Sequence, residues 1–392
     1  MTLQASDIAD LIKTTQNELG RARFTEIATN IQDHCALREL LNESRVQFSS
    51  VPNVNWNLMT EQSGSARDVG LYEVDQTSVG DVMATAEIPY RHMTANYSIE
   101  RREIAFNRAP SQIVDLVKIR RNDAMISLAE HIEKRFWGVP GSSADEKKIY
   151  GIGYWIVDHD HSGSGAGAGF KGGNPTGFAN VAGINPDTVT RWKNWSAKYS
   201  DTPGSALAGP TYGATSNPGA GQTGGGNPDS TGFSDMVVQL REAYVKCAFK
   251  PIPGVEYSDY NKGNRYGLYT NYKVISYLEE VLARRNDNLG MDVGATDGRV
   301  QFRGIPLTYC PYLDSNVTVS AGTVANPIYG IDWGVFESVF LEGEYMRETG
   351  PDTAPNQHTV FTTHVDLTMN VRCTDRRRNF VLKDQDGKLL YA

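Results

Sequence analysis

The chain has 392 residues, 40% hydrophobic and 21% charged, which is the range of folded soluble proteins and enough length for two or three packed lobes. A formal charge of -8 supplies no global positive field, so DNA binding as the main activity is disfavoured. The start Met1-Thr2-Leu3-Gln4-Ala5-Ser6-Asp7 has no basic segment leading into an apolar one, and no stretch is apolar for the width of a bilayer; neither export nor membrane insertion is expected.

Residues 1–50 carry two helical patterns, Ile8 to Leu19 and Phe24 to Leu41, the second with Ile27, Ile31, Leu37 and Leu41 on helical spacing, and together they read as an N-terminal arm. From Val51 to Ile104 the texture becomes β-like. Val69 to Val74 and Ala84 to Ile99 flank the turn signal Val79-Gly80-Asp81, and Pro89 inside the second run belongs on an edge strand or a free hairpin. The expectation is a long two-stranded flap.

The strongest element is a helix from Pro110 to Trp137. Pro110 fits the first helical position, Ile113, Val117, Ala124, Leu128, Ile132 and Phe136 mark one face, and Gly138-Val139-Pro140-Gly141 stops it. Such a helix would span about 42 Å, more than one small core can cover.

Residues 158–230 are rich in glycine, serine, proline and threonine and read as an ordered, loop-rich insertion, whose packing stretch is Ile184 to Trp195 with its two tryptophans. Helical patterns return at Phe233 to Phe249 and Asn271 to Arg285, around Tyr266-Gly267-Leu268-Tyr269, which suits a central strand; an α/β lobe is expected there. Arg299 to Tyr309 reads as strand and bend, and Pro327 to Leu341 as strand, turn and strand. The clearest strand is Val365, Leu367, Met369, Val371 and Cys373 alternating with Asp366, Thr368, Asn370 and Arg372.

No catalytic, cofactor or metal residue is assigned. Cys35, Cys247, Cys310 and Cys373 stand singly, with no Cys-x-x-Cys pair, and read as buried thiols of a reducing compartment. Gly163 to Gly169 has phosphate-loop glycines but no following helix and no Gly-Lys-Ser/Thr, so it reads as a flexible loop. Asp158-His159-Asp160-His161 offers four metal-ligating side chains in a row, yet neighbours on an extended chain face opposite sides, so a solvated loop is expected. The acidic pairs Glu279-Glu280 and Glu342 with Glu344 could serve a glycosidase, but read as an exposed helix end and a strand face. Arg376-Arg377-Arg378 reads as a surface or intersubunit run.

Taken in order, these elements resemble the tailed-bacteriophage major capsid proteins of the Hong Kong 97-type fold. Tyr269-Thr270-Asn271-Tyr272, Phe302-Arg303-Gly304-Ile305-Pro306-Leu307 and Ile328-Tyr329-Gly330-Ile331-Asp332-Trp333 are phrases of the kind such coat proteins carry in this order, and Arg191-Trp192-Lys193-Asn194 is similar to a segment of podovirus-like coat subfamilies. The resemblance implies an α+β subunit with an N-terminal arm (1–50), an extended loop (51–106), a peripheral domain with its spine helix (107–157), a glycine-rich insertion (158–230), an axial domain (231–325) and a return to the peripheral domain (326–392). It also implies hexamers and pentamers closing into an icosahedral shell, assembled in the bacterial cytoplasm and found in the virion. Portal, scaffold and decoration proteins would be its partners, with packaged double-stranded DNA near it without specific contact, and no cofactor or membrane.

Some members of that family form an isopeptide crosslink from a lysine on the extended loop. Val51 to His92 contains no lysine, so noncovalent contacts or decoration proteins are expected to hold the shell. The competing readings are an encapsulin-like nanocompartment shell, a carbohydrate-active enzyme built on the 19 tyrosines and 6 tryptophans, and a tail or adhesin protein, which would show repeats.

Overall fold

The computed structural model describes residues 34–61, 66–71, 82–106, 116–159, 168–199, 236–249, 266–284, 293–296, 299–314, 317–319, 322–324, 326–353 and 358–384. The helix expected over Ile8 to Leu19, the turn Val79-Gly80-Asp81, the Pro110 start of the long helix and most of the glycine runs lie outside them.

In chain order the first elements are α1 (Cys35–Leu40), β1 (Val46–Ser49), β2 (Asn53–Met59), β3 (Met83–Pro89), β4 (Arg91–Glu100), α2 (Arg101–Phe106), α3 (Leu116–Phe136) and α4 (Ile152–Trp155). Then come β5 (Gly169–Gly172), β6 (Asn194–Tyr199), α5 (Met236–Lys246), β7 (Tyr266–Thr270), α6 (Tyr272–Arg284), β8 (Val293–Thr296), β9 (Arg299–Phe302), β10 (Ile305–Tyr309), β11 (Val317–Val319) and β12 (Gly322–Val324). The chain closes with β13 (Ile328–Asp332), β14 (Phe336–Leu341), β15 (Arg347–Thr353), β16 (Val360–Cys373) and β17 (Phe380–Asp384). This is a mixed α+β chain.

Two large sheets carry it. In the five-stranded sheet β16 is the axis: β14 and β15 follow one another along one of its sides, β4 pairs along the other, and β1 adds in parallel outside β14. The eight-stranded sheet runs β5-β6-β17-β13-β7-β10-β9-β8. Its middle strands are buried on both faces, and alternate residues feed different cores. Tyr269, Tyr329, Ile331 and Val381 face the core shared with α3, while Leu268, Ile328, Phe380 and Leu382 face the core of α5 and α6. This is why these strands read as unbroken apolar runs.

The α3 stripe Ala124, Leu128, Ile132 and Phe136 is buried as the four-residue spacing requires. Val117, on the same stripe, is exposed, because the stripe outruns the core at the first turn of the helix.

Several expectations are corrected. The partner of β3 is β2, not Val69 to Val74: Asn53 pairs with Pro89 and Met59 with Met83, and residues 69–71 are exposed and outside any strand. The alternation Val54, Trp56, Leu58 against Asn53, Asn55, Asn57 carries the strand signal. Ala84 to Ile99 is not one run; it divides at Pro89 and Tyr90 into β3 and β4, which join different sheets, since proline lacks the amide to continue a ladder. Residues 169–172 and 194–199, inside the stretch read as an insertion, supply two strands of the eight-stranded sheet, with Trp192 and Trp195 buried. Pro327 to Leu341 is strand, turn and strand as expected, but β13 and β14 sit in different sheets, and Trp333 between them packs in the core.

Candidate functional site

Two of the charged groups singled out by the sequence, Asp158 and Arg376, are buried. Asp158 is buried; it accepts from Ser196 Oγ at 3.1 Å and forms an ion pair with Lys383 on β17. Burial raises its pKa, with Lys383, Ser196 and Lys198 pulling the other way. The expectation of a solvated loop fails for Asp158 because the chain leaving α4 runs against β6, where His159 N donates to Ser196 Oγ at 3.2 Å. Asp160 and His161 lie outside the described residues. Glu279 is exposed on α6; Glu342 and Glu344 occupy the turn after β14 rather than a strand face. All four cysteines are buried and none is in a disulfide, and burial raises the thiol pKa of Cys247, Cys310 and Cys373. Among the described residues no group of three or more His, Cys, Asp or Glu side chains converges as a metal site, and no helix is long and apolar enough to cross a membrane.

Arg376-Arg377-Arg378 is a 3₁₀ turn turned inward, against the surface expectation. Arg376 is 0% exposed and is held by neutral oxygens. Its Nε donates to Trp155 O at 2.8 Å, Nη1 to Trp192 O at 2.7 Å and Nη2 to Gly173 O at 2.9 Å, with Asn194 Oδ1 at 3.3 Å. Burial lowers its pKa to about 10. Arginine suits this place because its planar fork can clasp several carbonyls at once. Arg378 pairs with the fully buried Asp332 at 2.6 Å, and Arg377 lies 4.6 Å over Phe249. The triple arginine is therefore a clasp joining α4, the segment before β6 and the turn before β17.

What the fold does offer outward is the β2–β3 hairpin. Among the described residues its strands form a sheet only with each other, while its root is fixed: Val54, Ala86 and Ile88 are buried, Glu87 N donates to Ala182 O at 3.0 Å and Asn370 Nδ2 to Pro89 O at 2.6 Å. Its far end is apolar and exposed. Met59 (68%) stands opposite Met83, and Val69 and Leu71 (90%) follow in the chain beyond β2. Exposed apolar surface of this kind marks an interaction site. A second exposed apolar group, Phe48 and Tyr345 in edge-to-face contact at 5.7 Å, sits on the open strand β1 and the turn after β14.

Sequence reasoning missed the residues that anchor these elements. Glu133, a buried carboxylate at the end of α3, accepts from the amides of Ala36 and Leu37 and from Trp137 Nε1. Only its position on the apolar side of the helix could have marked it.

No protein-family sequence model matches the chain, and no curated protein matches it in sequence. Solved structures do. A chain of the cyanophage A-1(L) capsid asymmetric unit is 15% identical with a TM-score of 0.54, the match covering 95% of this chain and 99% of that one. A chain from the capsid of the native GTA particle is 12% identical with a TM-score of 0.51, covering 98% and 99%. The holo-SrpI encapsulin complex from Synechococcus elongatus PCC 7942 matches at 10% identity and a TM-score of 0.48. Over nearly its whole length, the chain shares the fold of the first two capsid subunits.

Proposed function

We propose that this chain is the major capsid protein of a tailed bacteriophage, assembling into the hexamers and pentamers of an icosahedral shell around double-stranded DNA. The observation that carries the reading is end-to-end likeness to capsid chains in a protein whose own outward feature is a hairpin with an apolar end. Shell subunits must bury broad surface against copies of themselves, and a hairpin anchored at one end supplies it.

In this reading β2 and β3 are the extended loop, α3 the spine helix of the peripheral domain, β7 and β10 with α5 and α6 the axial domain, and the chain from residue 326 on the return to the peripheral domain. Residues around the glycine runs form an insertion on that frame. The subunit is a structural protein of the virion, built in the host cytoplasm with portal and scaffold proteins and stiffened by decoration proteins or noncovalent contacts. Its charge of -8 fits a wall that DNA slides past without adhering.

Expression with the adjacent scaffold gene followed by negative-stain electron microscopy tests the reading. Hollow closed particles are the expected result; dispersed monomer at every concentration and salt would overturn it.

A further inference from the structure

We propose that Arg91, at the root of the hairpin, is an anion-receiving site whose ligand is a carboxylate from a second copy of the chain. The inference rests on the assembly reading above and names one contact within it.

Arg91 opens β4, two residues after the hairpin ends at Pro89. It is 7% exposed, and its Nε has no hydrogen-bond partner. Its guanidinium lies 5.6 Å over the Tyr150 ring and reaches the Tyr150 hydroxyl. No carboxylate among the described residues pairs with it. Other buried or half-buried arginines meet a carboxylate or carbonyls: Arg120 meets Glu103, Arg372 meets Glu337, Arg378 meets Asp332 although its Nε is also without a hydrogen bond, and Arg376 meets its cage of carbonyls. Two more donors near this stretch of chain, Tyr90 Oη and Trp56 Nε1, are also buried without partners. Burying a cation without a counter-charge is costly. The root is short of acceptors, and the shortage calls for an anion from outside the subunit.

Charge complementarity identifies the source. The chain holds 46 acidic against 38 basic residues. Glu61 and Asp68 lie in the exposed stretch past β2 that carries the apolar end, where with Arg67 they leave one net negative charge. An apolar, acidic end and a donor-rich, aromatic root on the same chain are unlike surfaces, and unlike surfaces pair head to tail into closed rings.

The test compares full-length wild type with Arg91→Gln and Arg91→Lys, as free subunits and as particles formed with the scaffold. Arg91→Gln subunits are expected to melt at or above the wild-type temperature, because an unpartnered buried charge is removed. Particle yield is expected to fall roughly tenfold or more, with partial recovery in Arg91→Lys. A lower melting temperature for Arg91→Gln subunits would overturn the proposal by showing that the residue is satisfied within its own chain. Inorganic phosphate, added at constant ionic strength, separates the sources: if it raises wild-type but not Arg91→Gln melting while particle yield ignores the substitution, the ligand is a free anion and the second-copy assignment falls. Wild-type particles indifferent to Arg91 would defeat this proposal alone, whereas no wild-type particles would defeat the assembly reading and this contact with it.

Discussion

Glu133 Oε1 accepts the amide of Ala36 at 2.9 Å, joining the last turn of the long helix to the first turn of α1 across 97 residues of chain. Its other oxygen accepts Leu37 N at 2.7 Å. A helix start leaves amides without internal partners and carries partial positive charge, and one buried carboxylate answers both. Glu133→Ala should therefore cost about 2–4 kcal/mol. Chemical denaturation measures the loss, and amide exchange at Ala36 and Leu37 should accelerate more than exchange in β16. Uniform acceleration would show that Glu133 is not a local anchor.

Leu128 and Ile132 belong to the same core as Val365, Leu367 and Met369 of β16. Leu128→Asp would place an unpaired charge there, at a cost of about 3–5 kcal/mol, and should abolish soluble subunit rather than merely slow assembly. Glu130→Ala, on a half-buried position of the same helix, should change stability by less than about 1 kcal/mol. Soluble yield and thermal melting of both variants beside wild type decide the point; a Leu128→Asp protein that melts like wild type would refute the assigned face.

Among the described residues the strands Asn53–Met59 and Met83–Pro89 form a sheet only with each other, and their bonds to the body, Glu87 N to Ala182 O and Asn370 Nδ2 to Pro89 O, lie at the root. Their amides near Met59 and Met83 should exchange quickly in free subunits and slowly in particles, because protection there comes only with assembly. Amides near Val54 and Ile88, at the buried root, should be slow in both. Equal protection of the Met59 end in the two states would count against the hairpin as an intersubunit element.

The legible parts of this fold were those with a period. The β16 alternation and the α3 stripe follow from side-chain geometry alone, and both lie where that geometry puts them. Partner choice was not legible: both Asn53–Met59 and Val69 to Val74 precede β3 and are rich in apolar residues, and packing of Val54 and Trp56 against the body goes with the first. Charge misled for the same reason. Arg376 and Asp158 read as surface residues because charged side chains usually are, and what holds them inside is a set of carbonyls and one lysine brought from far along the chain. Asn370, on the polar side of the β16 alternation, is buried because Tyr150 N and Pro89 O meet it there.

Asp158 gives the stability a pH signature. Burial raises its folded-state pKa above the value it has in the unfolded chain, so folding favours the protonated form. The sign follows from linkage: the contribution of Asp158 is most favourable below the ordinary carboxylate range and declines as pH rises through the folded pKa, above which the buried charge is a constant penalty. Asp158→Asn removes that slope. The variant should gain on wild type as pH rises through the folded-state pKa of Asp158, since Lys383 keeps some exposure and its ammonium can turn to water. Lys383→Met should do the reverse, leaving a buried carboxylate without its cation and costing about 3–5 kcal/mol where the carboxylate is ionised but little where it is protonated. Thermal melting of the three proteins across that titration is the measurement. If Asp158→Asn is less stable than wild type by the same amount at every pH, the carboxylate is stabilised by its partners more than it is penalised by burial, and the assigned direction is wrong.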